Sequence, residues 1–153
     1  GSIAAGSEAE KGGEDMGQKL AKAVLAGLVL LHAGLLVWAL MGTAELLLGD
    51  VPWTPVANPL FPPLMLAGHW LSVLYTSIVF LLGTFYRWPL TPPATVAGYG
   101  AMALVCLIET TQFLVHDGRW LAMALEYAAY IAITLFLFGS GTMRDYFGRS
   151  AST

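Results

Sequence analysis

Two sets of polar side chains recur at helical spacing inside long apolar stretches of the sequence. Glu109, Gln112 and His116 are three and four residues apart, so an α-helix would carry them on one face. Glu126 and Tyr130 are four residues apart in the next apolar stretch. Carboxyl, imidazole and phenol groups can exchange protons and bind polar ligands, and ionisable groups are costly inside an apolar segment. We therefore expect these residues to form a polar site.

A further candidate, His69, lies near the start of another apolar stretch. If the stretches are antiparallel helices, His69, Glu109 and Glu126 come to a similar depth. The two carboxyls then lie about 10 Å from the helix ends, at ~1.5 Å per residue. Glu45 closes the first apolar stretch at the same level. Because two nearby carboxylates repel, we expect one of them to stay protonated and to hydrogen-bond a neighbouring side chain.

Three kinds of role are open for this cluster. The first is polar contact between helices without any ligand. The second is acid–base catalysis by Glu109, Glu126 and His69. The third is a site for the head group of a lipid, a quinone or a pigment, in which the ligand-binding residues are Glu109, Gln112, His116, Glu126, Tyr130 and His69. A metal centre is not expected, because the Glu-x-x-His pairing of carboxylate-bridged bundles is missing.

Another histidine, His32, lies near the middle of the first apolar stretch. It is the one polar candidate in the inner half of the spans, so a proton relay across the whole membrane is not expected. A haem held by two histidines at one depth is also not expected, since His69 and His116 lie near the outer edge. A pigment needs a single axial ligand, which leaves one pigment on His32 or His69 open.

Four long apolar stretches must position these side chains. The chain has 153 residues, of which 57% are hydrophobic and 11% charged, whereas soluble domains average about 25% charged residues. The stretches cover residues 23–46, 64–86, 94–115 and 120–143, each close to the roughly 20 residues that cross a bilayer. The sequence predicts an all-α fold, an integral membrane four-helix bundle.

The remaining segments are polar or rich in proline. Residues 1–18 are predicted to be a polar N-terminal tail that should not fold alone, either a tag remnant or a processed end. Residues 19–143 form the single membrane domain, and residues 144–153 form a polar C-terminal tail. Ala23, Gly27 and Gly34 make a stripe of small residues, which is typical of close helix–helix packing in membranes.

Basic residues predict the orientation of the chain in the membrane. Four spans place both termini on one side. The basic residues that flank that side are Lys19, Lys22, Arg87, Arg144 and Arg149. Arg119 alone flanks the other. The bias of Lys and Arg in short loops therefore predicts that both termini face the cytoplasm, or the matrix or stroma of an organelle.

The sequence carries no catalytic signature, and this favours a non-catalytic accessory subunit of a larger membrane protein complex. Membrane lipids and other membrane subunits are the expected partners, with bound lipid as the expected ligand and a quinone or pigment as alternatives. No basic patch of the kind that binds nucleic acid is present. The alternative interpretation is an intramembrane enzyme or binding protein that uses the outer Glu/His cluster on a lipid, quinone or pigment.

Overall fold

The computed structural model describes the backbone of residues 2–148 and the side chains of residues 12–148. This part of the chain is all-α. Its helices are α1 (Ser2–Leu48), α2 (Pro63–Phe85), α3 (Thr91–Ile108), α4 (Arg119–Gly139) and α5 (Gly141–Gly148). A π-helical turn, Glu109–Phe113, continues α3. Arg149 and the last four residues lie outside the described residues.

Four helices in this part of the chain are long and apolar enough to cross a membrane. The candidate spans are Gly12–Leu48, Pro63–Phe85, Thr91–Phe113 and Arg119–Gly139. The prediction of a multi-pass integral membrane protein is therefore confirmed. The short helix α5 was not expected, and it includes the first five residues of the segment predicted as a polar tail, 144–148.

The helix α1 begins at Ser2, well before the first apolar stretch. Alanine, glutamate and lysine favour the helical backbone, and the sequence has no proline before Pro52. Extending an existing helix costs less free energy than nucleating a new one. The polar segment that should not fold alone is thus helical as a continuation of the first span. Gly49, with a φ of 77°, ends this helix in the left-handed conformation that glycine adopts readily.

The loop between α1 and α2 is held by one carboxylate. Both oxygens of Glu45 accept hydrogen bonds from this loop: the Trp53 indole N–H at 3.0 Å and the backbone N–H groups of Val56 and Ala57 at 2.7 and 2.9 Å. Glu45 was expected to close the first span beside the polar cluster. The structure uses its charge to fix the loop instead.

Close helix contacts are made by glycines other than those in the predicted stripe. A methyl group on Gly42 would overlap the indole of Trp70, and one on Gly98 would overlap the Thr76 side chain. These two glycines therefore allow α1 and α3 to approach α2. Gly27 and Gly34 face outward, and a methyl group on either would meet nothing within 4 Å. The predicted small-residue stripe is exposed in this chain.

The helices pack mainly against their neighbours along the chain, and α4 is the least buried of them. Leu137 is the one buried residue of α4. It joins a cluster that includes Leu25 of α1, Phe80 of α2 and Met143 and Phe147 at α5. Consequently α5 lies against the part of α1 where the apolar stretch begins. Most residues of α4 are exposed or half-buried, because one side of this helix faces away from the others.

Candidate functional site

The predicted polar cluster is built around one pair of side chains. The Nδ1 atom of His69 on α2 lies 2.6 Å from Oε1 of Glu109, the first residue of the π-helical turn. Their side chains are 19% and 10% exposed. This distance corresponds to a strong hydrogen bond, in which at least one partner carries a charge or shares its proton. The pair links α2 to the end of α3.

Two tryptophans enclose the histidine. The ring of His69 lies 5.3 Å from that of Trp38 and 4.5 Å from that of Trp70, both edge to face. Trp70 is 2% exposed and also contacts Trp38 edge to face. Because aromatic edges and faces carry opposite partial charges, such contacts fix the orientation of the imidazole ring. Spacing along the sequence did not reveal these two indoles, which come from different helices.

The π-helical turn changes which residues accompany Glu109. The N–H of Leu114 donates to the Glu109 carbonyl oxygen at 2.9 Å, a bond that spans five residues rather than four. The extra residue rotates the following side chains away from the face that regular α-helical spacing predicts. Gln112 and His116 are both exposed, and the Gln112 amide donates to the Thr111 hydroxyl at 3.4 Å. The structure does not bring either side chain to the His69–Glu109 pair.

The second carboxyl has its own partner. The Tyr130 hydroxyl donates a hydrogen bond to Glu126 one turn earlier on α4. The Tyr130 ring stacks on that of Tyr99, with centroids 4.8 Å apart. The Tyr127 hydroxyl donates to the Ala103 carbonyl oxygen at 2.6 Å. The Tyr99–Tyr130 stack and the Tyr127–Ala103 bond link α4 to α3.

A small cavity lies between the carboxyl groups of Glu109 and Glu126. It has a volume of about 30 Å³, and the polar residues that line it are His69, Ser72, Cys106, Glu109 and Glu126. This volume holds about one water molecule. Pockets for drug-sized ligands are roughly ten times larger. The cavity between the carboxyls therefore has room for one water molecule and no room for a quinone or pigment head group.

His32 is fully buried and both of its ring nitrogens have partners. Nδ1 donates to the Leu28 carbonyl oxygen at 2.7 Å, which leaves Nε2 of the neutral ring to accept from the Tyr99 hydroxyl at 2.8 Å. The imidazole also stacks on Phe80 at 4.0 Å. A pigment ligated by His32 would have to displace Tyr99. The arrangement is that of a packing histidine that links α1 to α3.

The arrangement of these side chains gives no metal centre within the described part of the chain. No three His, Cys, Asp or Glu side chains there are placed so that they could hold one ion. Although His69, Glu109 and Glu126 line one cavity, the two carboxyls bond to different partners on different helices.

A larger groove runs along the membrane-facing side between α3 and α4. It has a volume of about 310 Å³, and its lining is almost entirely apolar. Gly100 and Ala103 line it on α3, and Ile131 and Leu135 line it on α4. The tyrosines 127 and 130 border it, with their hydroxyl hydrogens already donated as described above. A methyl group on Gly100 would meet nothing within 4 Å, so the groove is open above this residue.

Comparison with known proteins does not add to this description. No protein-family model matches the chain, and no curated protein or solved structure is significantly similar to it.

Proposed function

We propose that this protein is a non-catalytic interaction subunit of a membrane protein complex, and that the groove between α3 and α4 receives a transmembrane helix of a partner protein. The observation that carries the proposal is the size and chemistry of this groove: about 310 Å³, apolar, with Gly100 and Ala103 among the residues that line it. Small residues let two helix backbones approach closely in a bilayer, where packing contacts drive association.

The state of the Glu/His cluster supports a structural role rather than catalysis. Glu109 bonds to His69, Glu126 bonds to Tyr130, and the space between them is about one water in volume. A catalytic acid or base must reach a reacting group of the substrate. Here the candidate groups already have partners within the chain. The His69–Glu109 pair behaves as a polar contact that joins helices, and Glu126 is bonded within α4.

The exposure of α4 is consistent with a partner at this position. Leu125, Ile131 and Leu135 are all at least 60% exposed, and one residue of α4 is buried. Exposure of leucine to lipid is not costly, so exposure alone does not indicate a partner. The groove beside these residues does indicate a partner. Its surface is concave, so a convex partner helix can make more packing contacts there than a fluid acyl chain makes.

A single apolar ligand in the same groove is the second candidate function. Its volume is at the lower end of the range for ligand pockets. The hydroxyl hydrogens of Tyr127, Tyr130 and Thr134 are all donated within the chain, so none is left to orient a quinone carbonyl. The occupant favoured under this alternative is therefore the acyl chain of a lipid.

A large side chain at Gly100 tests the groove. We expect Gly100→Trp to abolish the complex, because a Cβ atom at this position meets nothing within 4 Å and the indole beyond it would occupy the groove. The measurement is the particle size after mild solubilisation from native membranes. Gly34→Trp is the matched control, since it places the same side chain on an outward-facing glycine of α1.

Four results are informative. A large particle for the wild type and for Gly34→Trp, with a small one for Gly100→Trp, supports the proposal. A wild type that runs as a lone monomer contradicts it, as does an unchanged particle for Gly100→Trp. Loss of a co-purified lipid in Gly100→Trp, with no change in protein content, favours the ligand alternative.

We also propose that both termini face the cytoplasm or its organellar equivalent. The support is the bias of basic residues. Lys19 and Lys22 precede the apolar part of α1, and Arg87 and Arg144 lie at that same end of the protein, near α5. Arg119 lies at the opposite end. Single cysteines placed near Lys19 and Arg144 should resist a membrane-impermeant thiol reagent in intact cells, and one near Arg119 should react. Labelling of all three, or of the first two only, contradicts the orientation.

A further inference from the structure

A polar cavity and an apolar groove meet at the end of the protein where α1, the end of α2 and α5 come together. The cavity has a volume of about 310 Å³ and is lined by Gln18, Lys22, Arg87, Asp145 and Tyr146, among others. The groove, of about 470 Å³, continues from it along the apolar residues Leu25, Ala26, Val29 and Leu30 of α1. Lys22 and Tyr146 border both. The two spaces are therefore one continuous surface.

We propose that this surface binds one anionic glycerophospholipid, with the phosphate beside Lys22 and Arg87 and an acyl chain along α1. The charged side chains that line the cavity are Lys22, Arg87 and Asp145, so its net charge is positive. A lipid with a net charge of minus one complements it. Basic pockets beside transmembrane helices are a recurrent way to recognise such head groups. The Asp145 carboxylate accepts a hydrogen bond from a donor on the head group.

Two contacts hold the side chains of Arg87 and Tyr146 in place where the cavity meets the groove. The Tyr146 hydroxyl donates to the Thr84 carbonyl oxygen at 3.0 Å, and the Arg87 guanidinium lies 4.9 Å above the Tyr146 ring. Both contacts order Arg87 and Tyr146 before a ligand arrives. A pre-ordered site loses less conformational entropy when it binds.

The backbone at Arg87 gives independent support. Arg87 follows α2 with a φ of 52°, and it is the one non-glycine residue at positive φ among the described residues. The N–H of Trp88 donates to Gly83 and that of Arg87 to Thr84, at 2.8 and 3.3 Å, which is the pattern that normally ends with glycine. Arginine is strained in this conformation, which glycine would adopt at a lower cost.

This strain provides a variant that removes the charge and keeps the conformation of the helix end. Arg87→Gly should keep the helix end, because glycine favours its conformation, while the guanidinium is lost. In nanodiscs of phosphatidylglycerol and phosphatidylcholine in equal amounts, we expect the wild type to retain phosphatidylglycerol in native mass spectra. Arg87→Gly and Lys22→Gln should each weaken that retention by about tenfold, the effect of one charge-assisted hydrogen bond.

The controls separate a built site from general attraction to charge. Arg144→Gln removes an exposed cation of α5 that does not line the cavity, and it should leave retention unchanged. Equal losses in all three variants, or no preference of the wild type for phosphatidylglycerol, would overturn the proposal. Ala26→Trp fills the groove and should also release the lipid. Unchanged retention in Ala26→Trp, or displacement by soluble glycerol phosphate, would contradict a bound acyl chain.

Discussion

His69→Leu is expected to lower the free energy of unfolding by about 3 kcal/mol, because it leaves the Glu109 carboxyl buried without a partner. The net contribution of the intact pair is smaller, since hydrogen bonds between membrane helices average about 0.6 kcal/mol. The double variant His69→Leu/Glu109→Leu should therefore recover most of the loss. Stability can be measured by titration with a denaturing detergent in mixed micelles.

The two single variants should differ in magnitude. Glu109→Leu leaves a neutral imidazole N–H without its acceptor, which costs about 1–3 kcal/mol. It should therefore destabilise the protein less than His69→Leu does. Equal stabilities for the wild type and both single variants would show that the pair does not hold α2 to α3.

Gly42→Ala is expected to be the most damaging small change in α1. The added methyl overlaps the indole of Trp70, which is buried and packs against Trp38 and His69. Overpacking of this kind costs about 1–3 kcal/mol. Because the indole cannot move without displacing its neighbours, tryptophan fluorescence should change together with stability.

The matched control for this variant lies eight residues earlier on the same helix. Gly34→Ala adds the same methyl group to an outward-facing position with nothing within 4 Å. Alanine favours the helix over glycine, so this variant should be at least as stable as the wild type. If Gly42→Ala and Gly34→Ala have the same stability, α1 and α2 do not cross at Gly42.

The spans could be predicted from the sequence because they depend on length and solvent alone. A segment of about 20 apolar residues fits the bilayer whatever its neighbours are. The rotation of each helix about its axis could not be predicted in the same way. In lipid the outer face of a helix is as apolar as its inner face, so the sequence does not mark which one packs. Gly27 and Gly34 were therefore expected inside and lie outside, whereas Gly42 and Gly98 make the contacts.

The candidate site could be predicted in part for a related reason. Similar depth follows from counting residues, and it brought His69, Glu109 and Glu126 to the same level, where they line one cavity. The positions of Gln112 and His116 depend on the π-helical turn, which regular spacing does not anticipate. The fate of Glu45 depends on a loop that folds back onto it, and helical periodicity carries no information about that loop.

The most direct test of the proposed role is photocrosslinking from the groove in native membranes. A photoreactive residue at Ile131, which lines the groove, should form one protein adduct of discrete mass. The same residue at Val37, an exposed position on α1, should react with lipid only. Gly100→Trp should abolish the adduct from Ile131. Lipid adducts alone at both positions would contradict a partner helix between α3 and α4.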